Sequence, residues 1–264
     1  MKLIDLLEDM TIVGDELRIT VQHYRAASTA DSISTSFPKQ PYTTKIPGCK
    51  AEIYSLLNYV SSETSTKILK SLKGNGPAKV VPKQFEIFMR QVKEAAAKAV
   101  ARSKPDIIIY PKSKSEFLKK FVSEISVSAQ GAEVLDDRFI KSILSAEDVE
   151  PLINTNHPDW AKFAENHPKE VEKLKKQLKS LVSDGELELK KFYKPYLKFI
   201  KNFIELRDAY EVLDKVLGKS VLVVDDILSS GSTMAEMIRQ LEEFEPSKIA
   251  GLTLFKHTSA SKTA

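Results

Sequence analysis

The chain has 264 residues, 42% of them hydrophobic, and a formal net charge of +4 from 40 basic and 36 acidic side chains. That length holds one large domain, or a standard domain with a smaller companion, and the apolar content suffices for a sizeable core. A single cysteine, Cys49, excludes an intrachain disulfide framework and fits a reducing compartment; acidic residues interrupt the amino-terminal start where a signal peptide would be apolar, and no run approaches membrane-spanning length, so a cytoplasmic protein without a membrane partner is expected.

Charge is abundant but nearly balanced, which leaves anionic nucleotides and nucleic acid both open as partners. In chain order, Leu3, Leu6 and Leu7 stand at helical spacing, and 11–21 reads as a hairpin turning at Gly14-Asp15. Residues 26–44 are rich in Ser, Thr, Ala and Pro and read as a loop. Short helices are expected over 51–60 and 65–72, with Gly74-Asn75-Gly76-Pro77 as a break. Residues 1–80 thus form an α+β region, a hood or accessory to the core over 81–264.

Pro82 opens a longer helix, in which Phe85, Phe88, Met89, Val92, Ala95, Ala96, Ala99 and Val100 make one apolar stripe suited to core packing. Lys104-Pro105-Asp106 ends it, and Ile107-Ile108-Ile109-Tyr110 reads as a buried strand. A short basic turn, Pro111-Lys112-Ser113-Lys114-Ser115, leads from there into a helix starting at Glu116. Such a turn suits an anion at a helix start, although Ser113 or Ser115 could equally be a plain helix cap. The next strand covers 131–136 and continues through Arg138 and Lys141, which also fit surface salt bridges.

Residues 142–210 read as a long, largely helical insertion, a lid or an oligomer contact. Asn156-His157-Pro158 and Asn166-His167-Pro168 look like helix starts with Pro at the first helical position, because no Cys or carboxylate cluster completes a metal set around the histidines. Phe192, Tyr196, Phe199 and Phe203 recur at helical spacing among lysines; packing on the core is favoured over stacking on single-stranded nucleic acid.

The most informative stretch is 220–234. Val221-Leu222-Val223-Val224 is a buried strand, Asp225-Asp226 ends it, and Ser229-Ser230-Gly231-Ser232-Thr233 leads into a helical pattern from Ala235. A loop of backbone N–H groups and hydroxyls at a helix start suits a phosphate dianion, and the carboxylates can accept from sugar hydroxyls or hold a divalent metal. Ser and Thr serving only as helix caps would explain the loop, but not two adjacent carboxylates at a strand's carboxyl end. A last strand covers 248–255, with Lys256-His257-Thr258 on its ligand side and a polar tail behind it.

Segment 221–233 resembles the phosphoribosyl-diphosphate (PRPP) signature of type I phosphoribosyltransferases: apolar strand, acidic pair, two variable residues, then a Thr/Ser-Gly-x-Thr phosphate loop. The resemblance implies an α/β fold, a parallel sheet flanked by helices, carrying the amino-terminal α+β region and the insertion. It implies a Mg2+-dependent transfer of phosphoribosyl from PRPP to a small nitrogen acceptor, with release of diphosphate, in a homo-oligomer. Asp225 and Asp226 would be the catalytic pair and would hold the metal, directly or through ribose hydroxyls and water. Ser229, Ser230, Gly231, Ser232 and Thr233 would bind the 5′-phosphate, and Lys112, Ser113, Lys114, Ser115 and Arg138 the diphosphate. Where the 6-oxopurine branch places an Asp, this chain has Ser229, which argues against a hypoxanthine-guanine enzyme. The alternative is a non-catalytic PRPP or nucleotide sensor on the same fold, with nucleic acid admitted as a partner but not favoured.

Overall fold

The computed structural model describes residues 10–19, 37–60, 62–113, 115–142, 149–183, 186–187, 196 and 199–258. In chain order these form β1 (Met10–Val13), β2 (Glu16–Ile19), β3 (Tyr42–Thr44), β4 (Glu52–Val60), α1 (Glu63–Leu72), β5 (Lys79–Val80), α2 (Pro82–Ser103), β6 (Ile107–Pro111), α3 (Glu116–Ser128) and β7 (Glu133–Lys141). There follow α4 (Trp160–Asn166), α5 (Pro168–Leu181), β8 (Val182–Ser183), β9 (Glu186–Leu187), β10 (Ile204–Leu206), α6 (Ala209–Val216), β11 (Ser220–Leu228), α7 (Ser232–Glu242) and β12 (Lys248–Thr258).

The main sheet among the described residues has seven strands in the order β10-β7-β6-β11-β12-β4-β3. The five central strands run parallel, and the two edge strands pair antiparallel with their neighbours. Central parallel strands must be covered on both faces, which explains their unbroken apolar runs. Leu222 and Val224 join the core under α1, α2 and α3, whereas Val221 and Val223 join the core under α5, α6 and α7. The result is a three-layer α/β fold, as the sequence implies. No helix among the described residues is long and apolar enough to cross a membrane.

Local chemistry sets the element ends. Ser62 and Ser65 form a reciprocal capping box at the start of α1. Pro82 occupies the first turn of α2, and Lys104 closes that helix in a left-handed conformation. The hairpin turning at Gly14-Asp15 is present, with Val13 opposite Glu16.

Three expectations are corrected. Residues 52–60 are strand β4 rather than a helix, and β4 pairs with β12 inside the main sheet. Ile53, Tyr54, Leu56, Leu57 and Tyr59 are all buried; a strand covered on both faces is apolar at consecutive positions and mimics helical spacing. The insertion is less helical than expected: Ile153, ahead of α4, bridges Ile200 beyond α5, and β10 then rejoins the sheet edge beside β7. Pro168 opens α5, but Pro158 lies ahead of α4, which begins at Trp160. His157 accepts the Asp159 N–H at 3.1 Å and packs edge-on against Phe199, so it shapes that turn. Of the expected aromatic helix only Tyr196, Phe199 and the residues after it are described, and all of Tyr196, Phe199 and Phe203 are buried. The remainder of it, the start at 1–9, the loop over 26–36 and the tail at 259–264 lie outside the described residues.

Helix α7 is tied to the returning chain by a buried carboxylate. Glu236 accepts from the Asn202 N–H at 2.8 Å, from Gln240 at 2.9 Å and from Arg239 at 2.9 and 3.1 Å. Gln240 also donates to the Ile204 carbonyl at 2.7 Å, and Asn202 to that of Pro151 at 2.9 Å. Truncating Glu236 leaves the Asn202 N–H without its acceptor and takes one acceptor each from Gln240 and Arg239, which keep their bonds to Ile204 and to Glu243 and Asn202. Glu236→Ala is therefore expected to cost about 2–3 kcal/mol in urea unfolding with an unchanged m-value; a loss below about 0.5 kcal/mol would contradict the anchoring role.

Candidate functional site

The chain leaves β6 toward β7 on one side and later enters β11 and β12 on the other, so the order reverses between β6 and β11. Parallel sheets bind ligands beyond the carboxyl ends of strands at such a reversal. Both candidate loops lie there, one after Pro111 and one after Leu228.

Strand β11 does not end at the acidic pair as expected but runs on through Leu228, still paired with β12, and brings Asp225 and Asp226 to this edge. Asp226 is buried, and the Lys73 ammonium sits 2.6 Å from its Oδ2. Asp225 accepts the Asp226 N–H at 2.8 Å through Oδ1. Burial, reinforced by the neighbouring Asp226 charge, pushes the Asp225 carboxyl up to about 7, against the opposing pull of that backbone hydrogen bond and of Lys73. Burial and the Asp226 charge also raise the Tyr59 hydroxyl at the end of β4.

The loop beyond the carboxylates is small and open. Ser229 and Ser230 are exposed, and Ser230 and Ser232 share a hydroxyl contact of 2.9 Å. Gly231 is the N-cap of α7 and offers no side chain to the amides of the first turn. Its φ of +81° favours glycine, while a Cβ there would come within 2.8 Å of Ile46 Cδ1, the movable end of a side chain. The contact the sequence did suggest for these amides, a Ser cap, amounts to a long 3.4 Å bond from the Ser232 N–H to Ser230. The loop therefore presents uncommitted donors at the positive end of a helix.

The turn after β6 is more committed. The Ser115 hydroxyl caps α3 by accepting the Phe117 N–H at 3.2 Å and donates to the Lys73 carbonyl at 3.1 Å. Ser113 accepts the Ser115 N–H at 3.1 Å. Lys112 is exposed, with its backbone N–H bonded to the Phe139 carbonyl at 2.7 Å. Lys114 lies outside the described residues. Arg138 ion-pairs with Asp208 at 2.6 Å and Glu211 at 2.9 Å at the start of α6, so its guanidinium is engaged as an anchor of that helix.

A pocket opens above the 229–231 loop. Thr44, Lys45, Ile46 and Pro47 form one wall, and Lys256 and His257 at the end of β12 form another. The Tyr59 ring meets the His257 ring edge-on at 5.5 Å. Sequence reasoning placed Lys256 and His257 on the ligand side but missed Lys45, Tyr59 and Lys73, which come from distant segments. Among the described residues no cluster of three or more His, Cys, Asp or Glu side chains forms a metal set.

Residues 189–263 match the family model of the phosphoribosyl transferase domain. That match lies in the carboxyl-terminal part of the chain and takes in β11, the 229–233 loop and β12. Over 51 residues it is 41% identical to the phosphoribosyltransferase domain-containing protein 1 of Xenopus laevis and, equally, to that of Xenopus tropicalis. This match covers 19% of the chain and only 23% of the length of each relative. Among solved structures, the hypoxanthine phosphoribosyl transferase of Trypanosoma cruzi aligns over 67% of this chain and 68% of its own, with 12% identity and a TM-score of 0.35. An alanine mutant at an invariant aspartic acid of HPRTs aligns over 65% and 68%, with 13% identity and a TM-score of 0.35.

A raised Asp225 carboxyl binds its proton in the folded state where the unfolded chain has lost it. Between about pH 4 and pH 7 the native state therefore holds more protons, and this group's contribution to stability falls as pH rises. Asp225→Asn should raise the melting temperature relative to wild type by several degrees at pH 8, and the gain should vanish near pH 4.5. A difference that stays constant between the two pH values would contradict the burial of that charge.

Proposed function

We propose that the protein is a Mg2+-dependent phosphoribosyltransferase that moves the phosphoribosyl group of PRPP to a nitrogen acceptor and releases diphosphate. The observation that carries this reading is the uncapped 229–231 loop at the start of α7, immediately beyond the Asp225-Asp226 pair at the sheet's reversal point. Amides and hydroxyls from Ser229 to Thr233 would hold the 5′-phosphate, whose binding positions the reacting carbon. Asp225 and Asp226 would orient the ribose hydroxyls.

Two adjacent carboxylates, with no cluster of three His, Cys, Asp or Glu side chains among the described residues, suit Mg2+, which takes one or two carboxylates and completes its shell with phosphates and water. The metal would neutralise charge on the departing diphosphate. In the transfer the C1–O bond to diphosphate breaks with its electron pair on oxygen, and the acceptor nitrogen forms the new bond to C1. Exposed Lys112 would stabilise the leaving group electrostatically. The pocket under Thr44–Pro47, flanked by Lys256 and His257, would receive the acceptor. A nucleobase-type acceptor fits a domain of this family, and Ser229 leaves that acceptor without the carboxylate that a 6-oxopurine enzyme would offer.

One observation favours a second reading. Arg138 and the Ser115 hydroxyl are bound within the protein, which suits a nucleotide or PRPP sensor that binds without turnover. Diphosphate release from PRPP and Mg2+ against a panel of nucleobases separates the two. Turnover by wild type, reduced roughly 10²-fold or more in Asp225→Asn/Asp226→Asn with the fold intact, is the expected result. Tight PRPP binding without release for any base would establish the sensor, and undiminished turnover in the double variant would remove the carboxylates from the mechanism.

A further inference from the structure

Lys73 stands between the two halves of the site, although nothing in its sequence neighbourhood marks it. It follows directly on α1, and the chain after it is folded back on the helix. The Gly74 N–H donates to the Ser71 carbonyl at 3.0 Å, the Asn75 N–H to that of Lys70 at 2.8 Å, and the Ala78 N–H to the Ser71 hydroxyl at 3.2 Å. Gly76 lies so close that a Cβ there would come within 2.2 Å of the Ser71 nitrogen, so the turn tolerates glycine alone. Lys73 is thereby held at a helix carboxyl terminus, where partial negative charge favours a cation.

From that position its backbone and side chain reach different parts of the site. Its carbonyl accepts the Ser115 hydroxyl at 3.1 Å, which fixes it against the turn after β6. Its ammonium reaches Asp226 Oδ2 at 2.6 Å, on the carboxylate pair within β11. The Lys73 side chain keeps 30% of its exposure while the Asp226 side chain keeps 9%, so the cation remains open to solvent above a buried partner. A diphosphate demands cations, and Arg138, the other basic residue expected beside this turn, is engaged by Asp208 and Glu211.

We infer that Lys73 is a ligand-binding residue of this site: its ammonium neutralises Asp226 in the free protein and passes to the diphosphate of an incoming sugar phosphate, releasing Asp226 to the ribose hydroxyls. The inference rests on the PRPP-site reading and adds a residue to it. The flexible four-carbon stem and the strongly hydrated point charge of lysine suit such an exchange. Lys73 then reports occupancy of the diphosphate position to the carboxylate pair.

The test is calorimetric titration of the full chain with inorganic diphosphate in Mg2+ and, separately, with ribose 5-phosphate, for wild type, Lys73→Met and Lys73→Arg. Lys73→Met should weaken diphosphate about tenfold or more and leave ribose 5-phosphate within about twofold, with Lys73→Arg restoring most of the loss. Diphosphate affinity unchanged in a folded Lys73→Met protein would overturn the inference while the phosphate-loop reading stood. Wild type that binds neither ligand would remove that reading and this inference with it. Should Lys73→Met lose its cooperative melt, acetylation of wild-type amines decides the matter: diphosphate protection of Lys73 supports the inference, and unchanged reactivity overturns it.

Discussion

Strand β11 is hydrogen-bonded along both edges and covered on both faces, and this confinement fixes where the chemistry sits. Val221, Leu222, Val223 and Val224 have no exposed surface, and β6 and β12 pair with them in parallel. A slip of one residue would exchange the two apolar faces and carry the carboxylates to the wrong sides of the sheet. The strand's burial therefore sets the positions of Asp225, Asp226 and the loop behind them. Helix α7 finishes the placement, because Met234, Met237, Ile238 and Leu241 bury one of its faces while Glu236 clamps the other to the chain at Asn202.

Charge at this edge is arranged in opposition. Two carboxylates stand next to one another near the carboxyl end of β11, partly removed from water, while the helix behind them offers bare amides. The carboxylates repel each other and suffer from burial, which is why Asp225 resists ionisation and why Lys73 lies against Asp226. A ligand carrying both hydroxyls and phosphates relieves each of these conditions at once. Its hydroxyls donate to the carboxylates and its phosphate accepts from the amides. A divalent cation between them adds to the same balance.

How much of this was legible depends on how local each signal is. The run from Val221 to Thr233 is contiguous, so strand, acidic pair, loop and helix could all be read directly, as could α2 from its apolar stripe and the hairpin at Gly14. Strand β4 was not legible, since Tyr54, Leu56 and Leu57 are buried through partners far away in sequence, and periodicity cannot distinguish that from a helix. The turn after β6 was legible in shape but not in bonding. Ser115 could be a cap or an anion ligand by sequence, and the Lys73 carbonyl, 42 residues upstream, decides its bond. The same limit explains Arg138, whose partners Asp208 and Glu211 lie 70 and 73 residues on. Lys45, Tyr59 and Lys73 reach the site only through the sheet order, which no short window of sequence encodes.

The central claim is that a sugar phosphate sits on the amides that open α7, beneath Asp225 and Asp226. A crystal structure of the wild-type protein with ribose 5-phosphate tests it most directly. The account requires the phosphate oxygens within about 2.7–3.2 Å of backbone nitrogens between Ser230 and Thr233, with the ribose hydroxyls turned toward the two aspartates. A phosphate bound anywhere else, or a ribose turned away from those carboxylates, would contradict it.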